Sequence, residues 1–249
     1  LKTINIKYKI LDKKSNFKNI FSILKKEAIK SSRPVALLVR KNIFYKSNSK
    51  KKLIVKKKEF FSREDALITL MKKIPKKIPK ISTTGMLSRE LNEFNLNHNL
   101  EKNTFMCVGG MGHAISVAYG LAHNSKQKIL CFDGDGAITM HLGALTNSVR
   151  HKNIIHVVFN NKSHESVGGH DTSSKHVKFY KIAKSLGYQN SKLAKNKSQA
   201  LKLILEALKS KQSYFIEIIC KKGHRKDISR PIEKMTELKN KFVKKLNKK

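Results

Sequence analysis

The sequence has no tryptophan, three cysteines, four prolines and twelve glycines in 249 residues, and its 17 acidic residues stand against 54 lysines and arginines. Each scarcity excludes something. The cysteines, Cys107, Cys131 and Cys220, are widely spaced and odd in number, which argues against a disulfide framework or a zinc knuckle and for a reducing, cytoplasmic setting. So little Gly and Pro beside 39% hydrophobic residues excludes a low-complexity chain and fits a folded one. No apolar run approaches the roughly 20 residues of a membrane-spanning helix, so no membrane is expected. The first residue is Leu1 and no charged-then-apolar leader precedes the first strand-like segment, so the chain reads as truncated at its N-terminus. The length suffices for one large α/β domain, or for one and a half smaller ones.

The formal charge of +37 raises nucleic acid as a partner. Only seven of the 54 cations are Arg, and the lysines spread from Lys2 to Lys249. Base-reading proteins favour Arg gathered on one element. The distribution therefore reads as lysine-rich solvated faces and not as a specific nucleic-acid site. A salt-sensitive, sequence-blind affinity for polyanions is the accompanying expectation.

Hydrophobic periodicity divides the chain. Ile4, Ile6, Tyr8 and Ile10 alternate as a half-buried strand, Phe17, Ile20, Phe21, Leu24 and Ala28 repeat at helical spacing, and Pro34 to Val39 is an apolar run of buried-strand type. Residues 1–44 are thus one βαβ unit. Residues 45–59 are polar and lysine-rich, a linker by composition. A capping-box-like start at Ser62-Arg63-Glu64-Asp65 opens a second unit, 60–222, with a helix to about Met71. Strand-like runs at Phe105–Val108, Lys128–Asp133, Ile154–Phe159 and Tyr214–Cys220 then alternate with helical segments. The fold class expected is α/β, a three-layer parallel sheet with helices on both faces, followed by a basic tail over 223–249. In such sheets ligands sit beyond the C-terminal strand ends.

Glycine-bearing turns fall at those ends: Gly109-Gly110-Met111-Gly112-His113, Asp133-Gly134-Asp135-Gly136-Ala137, and Asn160-Asn161-Lys162-Ser163. A dinucleotide unit is one reading of Phe105–Asp133, with Asp133 on a ribose, but Ile115 stands where the fingerprint's third Gly or Ala belongs. The later turns point to a magnesium diphosphate. Gly134 and Gly136 allow close backbone approach, Asp135 offers a hard oxygen in what reads as a surface cleft, and Asn161, 26 positions on, offers another, matching the oxygen-rich coordination of Mg²⁺. Alone, either motif is an ordinary hairpin turn or loop.

Together these motifs resemble the thiamin-diphosphate-dependent decarboxylases, whose signature is Gly-Asp-Gly followed at this interval by Asn-Asn. The resemblance sharpens to the phosphonopyruvate decarboxylases and their sulfopyruvate relatives. It is carried by Arg33-Pro-Val-Ala-Leu-Leu-Val-Arg40, Thr83-Thr-Gly-Met-Leu-Ser-Arg-Glu90, Cys107-Val-Gly-Gly-Met-Gly-His-Ala114, Asp133-Gly-Asp-Gly-Ala-Ile-Thr-Met-His141, Asn160-Asn-Lys-Ser-His-Glu-Ser-Val-Gly-Gly169 and Gly223-His-Arg-Lys-Asp-Ile-Ser-Arg-Pro231. It implies a thiamin-diphosphate-binding fold in which 1–44 ends a pyrimidine-binding domain and 60–222 is the diphosphate- and Mg²⁺-binding domain. Asp135 and Asn161 then resemble side-chain metal ligands, and Ser163 one that gives its carbonyl. Gly134, Gly136 and Ala137 would line the diphosphate, with Gly109 and Gly110 in the neighbouring turn and Gly109 offering a carbonyl to the aminopyrimidine. Met111 falls where the family bends the cofactor; a core filler is its other reading. Thr84 and Gly85 would lie on the cofactor's other side, although a helix cap at Thr84 fits as well.

His113 and His164 are the candidates for proton transfer, each also readable as a structural imidazole. Arg89 and Arg225 are the candidates for an anionic headgroup, with surface ion pairs to Glu90 or Asp227 as the competing account. The activity implied is decarboxylation of 3-phosphonopyruvate to phosphonoacetaldehyde and CO₂, in phosphonate biosynthesis. The cofactor would carry the carbanion chemistry. The alternatives are a sulfopyruvate decarboxylase subunit, or a non-catalytic polyanion-binding protein that keeps the fold. The family's activating glutamate belongs to the early part of the pyrimidine-binding domain, and no residue here replaces it. The chain is therefore expected to be inactive alone and to act in a homo- or hetero-oligomer with a pyrimidine-binding domain or subunit.

Overall fold

A computed structural model describes residues 1–44, 60–100 and 103–247. The stretch 45–59, read as a linker, lies outside the described residues. The chain divides into two compact units, Leu1–Lys56 and Lys57–Lys249.

In the first unit β1 (Lys7–Leu11) and β2 (Val35–Val39) pair in parallel, Lys7 opposite Val35 through Leu11 opposite Val39, joined by α1 (Phe17–Ser31). Asn16 caps α1, its side chain accepting from the Asn19 N–H at 3.1 Å. The first strand starts later than the alternation suggests. Lys2–Ile4 forms a 3₁₀ turn ended by a left-handed Asn5, which leaves Ile4 66% exposed, and the buried strand residue is Leu11. The second strand, expected to be buried, is half-buried to exposed. Two strands and one helix cover a single sheet face, so a run suited to a sheet interior keeps one side open.

The second unit opens with α2 (Arg63–Met71), whose cap Ser62 accepts from the Asp65 N–H at 3.0 Å. Then follow β3 (Lys80–Ser82), α3 (Met86–His98), β4 (Thr104–Met106), α4 (Ala114–His123), β5 (Ile129–Gly134), α5 (Asp135–Met140) and α6 (Leu145–Ser148). After β6 (Ile154–Asn160) a small antiparallel pair, β7 (Ser163–His164) and β8 (His170–Asp171), precedes α7 (Phe179–Ser185), β9 (Asn190–Ala194), α8 (Lys197–Lys209), β10 (Tyr214–Ile219) and α9 (Met235–Leu246). Six strands form one parallel sheet in the order β4-β3-β5-β6-β10-β9.

Each face of that sheet has its own core. Along β5, Leu130 and Phe132 join Leu67, Leu91, Val157 and Ile204 on one side, while Ile129 and Cys131 join Ile115, Ala118, Val158 and Phe215 on the other. Burial on both faces is why the central strands read as unbroken apolar runs. The segment 223–249, expected as a basic tail, instead carries α9. Leu238 and Phe242 are buried there, and Phe242 packs 5.9 Å from Phe105 beside β4. Lysines between its apolar positions mask the helical stripe. Among the described residues no helix is long and apolar enough to cross a membrane.

The chain leaves β3 for β4 and crosses back to β5 on the far side of β3. That reversal opens a crevice at the C-terminal strand ends. The turns after β3, β5 and β6 border it, and Met111 reaches it from the turn after β4.

Candidate functional site

Asp135 opens α5 and is 2% exposed. Its Oδ2 accepts from Thr172 Oγ1 at 2.5 Å and from Ser174 Oγ at 2.8 Å. Its Oδ1 has no hydrogen bond among the described residues, and Asp135 lines the cleft. The carboxylate is therefore not the loosely held surface ligand expected above, because two hydroxyls from the segment after β8 hold it from behind. Asn161, also buried, accepts the Ser163 N–H on Oδ1 at 3.2 Å, and its amide reaches Glu165 Oε1 at 3.4 Å.

The preceding Asn160 serves the framework. Its amide donates to Glu217 Oε1 at 2.8 Å, its oxygen accepts the Lys162 N–H at 3.2 Å, and it lies 3.1 Å from Ser174 Oγ, whose single proton it shares with Asp135. Burial pushes the Glu217 carboxyl up in pKa, against the Asn160 and Tyr180 donors that pull it down. A single polar chain thus runs from Asp135 through Ser174 and Asn160 to Glu217, and every link is buried.

The two glycines of the β5 turn have different reasons. A Cβ on Gly136 would lie 2.5 Å from the Cε1 of His164, so any other residue would push the imidazole away from its place against the start of α5. Nothing lies within 4 Å of a Cβ on Gly134, whose φ of −108° any residue adopts; no protein contact demands glycine there. Beneath it Asp133 is fully buried, accepting the Gly134 N–H at 3.0 Å, with His156 Nε2 3.5 Å from its other oxygen. In that position Asp133 reaches no ribose, which removes the dinucleotide reading. The thiols take no part either, since all are buried, and burial raises that of Cys107 to about 12.

Thr84, Gly85, Met111, Ala137, Ser163 and His164 line the same cleft as Gly134, Asp135, Gly136 and Asn161. Thr84 is not the cap of α3; Gly85 holds that position. Gly109 and Gly110 stand off the cleft in the turn after β4, Gly109 at a φ of +82°. His113 also lies outside it. That side chain is exposed, 3.2 Å from the Met111 carbonyl, with its ring tilted at 40° to that of His141 and the centroids 4.9 Å apart.

The arginines are rearranged. Arg225 does not line the cleft; its guanidinium donates to Glu64 at 2.9 Å, to Asp227 at 2.9 Å and to Glu93. Three carboxylates leave it no spare fork for a substrate. Arg89 has no ion pair among the described residues and lies off the cleft on α3. The partner of Glu90 is Arg63, a bidentate pair at 2.8 and 2.7 Å that is almost wholly buried.

Sequence reasoning missed Arg63 and Thr83 as cleft residues. Thr83 Oγ1 is buried without a hydrogen-bond partner. Glu165 is partly buried, which raises its pKa, but donors from the Gly223 N–H, Ser163 and His224 outweigh burial and hold it below the ordinary value. Thr83, which opens the motif Thr83–Glu90, was within reach of a local pattern, whereas the place of Arg63 was not.

These residues fit a phosphate ligand with a hard cation: an open place over Gly134, an orphaned Thr83 hydroxyl, and an unused Asp135 oxygen beside Asn161. An open parallel α/β sheet with such a cradle at its switch point defines the class, a phosphate-cofactor domain. Residues 83–218 match the thiamine pyrophosphate enzyme family, C-terminal TPP binding domain, and the chain belongs to that family; its cofactor is thiamin diphosphate, with Mg²⁺ the diphosphate's usual partner.

Among similar proteins, the phosphonopyruvate decarboxylase of Streptomyces viridochromogenes is 35% identical over 130 residues, 51% of this chain and 32% of that protein. The sulfopyruvate decarboxylase subunit beta of Methanocaldococcus jannaschii is 34% identical over 128 residues, 50% of this chain and 66% of that subunit. The chain thus spans about a third of the length of the first of these. In fold it is similar to the benzoylformate decarboxylase of Polynucleobacter necessarius, with a TM-score of 0.57 and 20% identity over 66% of this chain and 34% of that one.

Proposed function

We propose that this chain supplies the diphosphate- and Mg²⁺-binding half of a carboxy-lyase that converts 3-phosphonopyruvate to phosphonoacetaldehyde and CO₂. The observation that carries the reading is the free Oδ1 of Asp135 beside Asn161 in a cleft where Gly134 leaves room for a ligand. Asp135, Asn161 and the Ser163 carbonyl would hold the cation, and Gly134, Gly136 and Ala137 the diphosphate. Bound there, the cofactor would supply the electron sink that decarboxylation of a 2-oxo acid needs.

The chain's own residues orient and move protons. Met111 supports the cofactor from the turn after β4. His164, fixed against Gly136, is the proton carrier nearest the metal ligands; His113, outside the cleft, is left out of this role. Of the two headgroup candidates Arg89 is the one without an ion pair among the described residues, and the pyrimidine-binding partner is expected to supply the rest. The likeness to an archaeal beta subunit, 66% of whose length the chain covers, supports a second reading: sulfopyruvate as substrate, with the other half on a separate polypeptide.

The test is reconstitution with a pyrimidine-binding subunit, measuring CO₂ release from phosphonopyruvate, sulfopyruvate and pyruvate at equal concentration. Phosphonopyruvate is expected first. A higher kcat/KM for sulfopyruvate promotes the second reading, and a higher one for pyruvate rejects both. Turnover by the purified chain without a partner would refute the need for a second half.

A further inference from the structure

Arg63 sits at the first turn of α2, is 5% exposed, and lines the cleft together with Thr83, Asp135 and Asn161. A buried guanidinium is retained only where its donors are used. Glu90 takes Nε and Nη2 in a fork at 2.8 and 2.7 Å, which fixes the plane of the group. The remaining nitrogen, Nη1, has no hydrogen-bond partner among the described residues.

Charge makes the same case. Among the described residues that line the cleft, Arg63 is the one permanent cation, whereas Asp135 and Glu165 are anionic. A diphosphate brings about three negative charges, of which a divalent cation offsets two, while Asp135 adds one. Glu90 balances the charge of Arg63 within the buried pair, so what the guanidinium offers beside that excess is a fixed N–H donor.

We infer that Arg63, oriented by Glu90, is a phosphate-binding residue of this cleft, Nη1 donating to a diphosphate oxygen beside the orphaned Thr83 hydroxyl. The inference rests on the thiamin-diphosphate reading of the cleft. Glu90 is then a positioning residue: it neutralises half of the fork and aims the other half. A purely structural ion pair would leave the affinity for phosphates untouched when both partners are replaced.

The experiment is calorimetric titration of the full chain, in excess Mg²⁺, with inorganic pyrophosphate and with thiamin diphosphate. Arg63→Met alone strands a buried carboxylate, so the informative variant is Arg63→Met with Glu90→Met, joined by Arg63→Lys, which keeps the charge but loses the fork. Losing a charge-assisted hydrogen bond is expected to weaken both probes by about 10- to 100-fold in the double variant, with Arg63→Lys in between and the ligand-free melting temperature little changed. Wild-type affinity for both probes in the double variant and in Arg63→Lys, while Asp135→Asn abolishes binding, would overturn the role of Arg63 and leave the cofactor reading standing. A wild-type chain that binds neither probe would overturn the cofactor reading, and this inference with it.

Discussion

The two units of the chain are built from the same βαβ grammar and bury very different amounts of it. In residues 1–44 only Leu11 and Leu24 are buried hydrophobics, and Phe17 and Phe21 of α1 are each 52% exposed. In residues 60–247 a six-stranded sheet has a separate core on each face. A parallel strand needs cover on both sides before its apolar run becomes stabilising. The larger unit meets that condition and can then place polar groups in its interior, the Asp135–Ser174–Asn160–Glu217 chain among them. The smaller one has no interior in which to do so.

The sharpest contrast should come from the buried carboxylate. Asp135→Asn keeps the shape that Thr172 and Ser174 grip but removes the charge a divalent cation requires. Mg²⁺-dependent thiamin diphosphate binding should fall below detection by calorimetry, with circular dichroism unchanged. Unaltered affinity would reject the cradle. Asp135→Ala is the poorer test, since it leaves two buried hydroxyls without their acceptor.

Next in size is the core. Phe132→Ala, at a fully buried site on β5, should cost about 3–5 kcal/mol in chemical denaturation. A loss under about 1 kcal/mol would mean that the larger unit does not unfold around its sheet.

A smaller effect of opposite sign is expected at Lys80. Its ammonium is buried with the Ile78 carbonyl at 2.8 Å as its hydrogen-bond partner, and burial lowers its pKa from 10.5 to about 8. Between those values the unfolded chain binds the proton and the folded one does not, so this group makes stability rise as pH climbs from about 8 towards 10.5. Below about 8 its penalty is present in full. Lys80→Met should therefore stabilise by roughly 2 kcal/mol at neutral pH and flatten the alkaline rise in melting temperature. Destabilisation at every pH would contradict a charged, desolvated lysine.

The smallest change belongs to the first unit. Phe21→Ser, on the open face of α1, should stay within about 0.5 kcal/mol. A cost comparable with Phe132→Ala would show that this face is covered in the working protein and would erase the contrast between the units.

Local chemistry explains which features were legible beforehand. Ser62 announces α2 because a cap and its acceptor are three residues apart. Gly134, Asp135 and Asn161 announce the cleft proposed for a metal diphosphate because strand ends confine such a site to short turns. The stripe of α9 was hidden because lysines are interspersed among its apolar residues, and β3 and β9 were missed because short strands at or near the sheet edge lack a long apolar run. The headgroup expectation for Arg225 failed for another reason: Glu64 and Glu93, which occupy it, lie 161 and 132 residues away.

The order of residues alone determined the alternation of strands and helices and the positions of the glycine-bearing turns, since each depends on neighbours within one turn or one strand. Folding decided the rest. Asp135 is gripped by hydroxyls 37 and 39 residues distant, Arg63 is aimed by a carboxylate 27 residues away, and a side chain at Gly136 would displace His164, which is folded onto it. Burial and hydrogen-bond partnership are properties of what the sheet brings together, and no local pattern carries them.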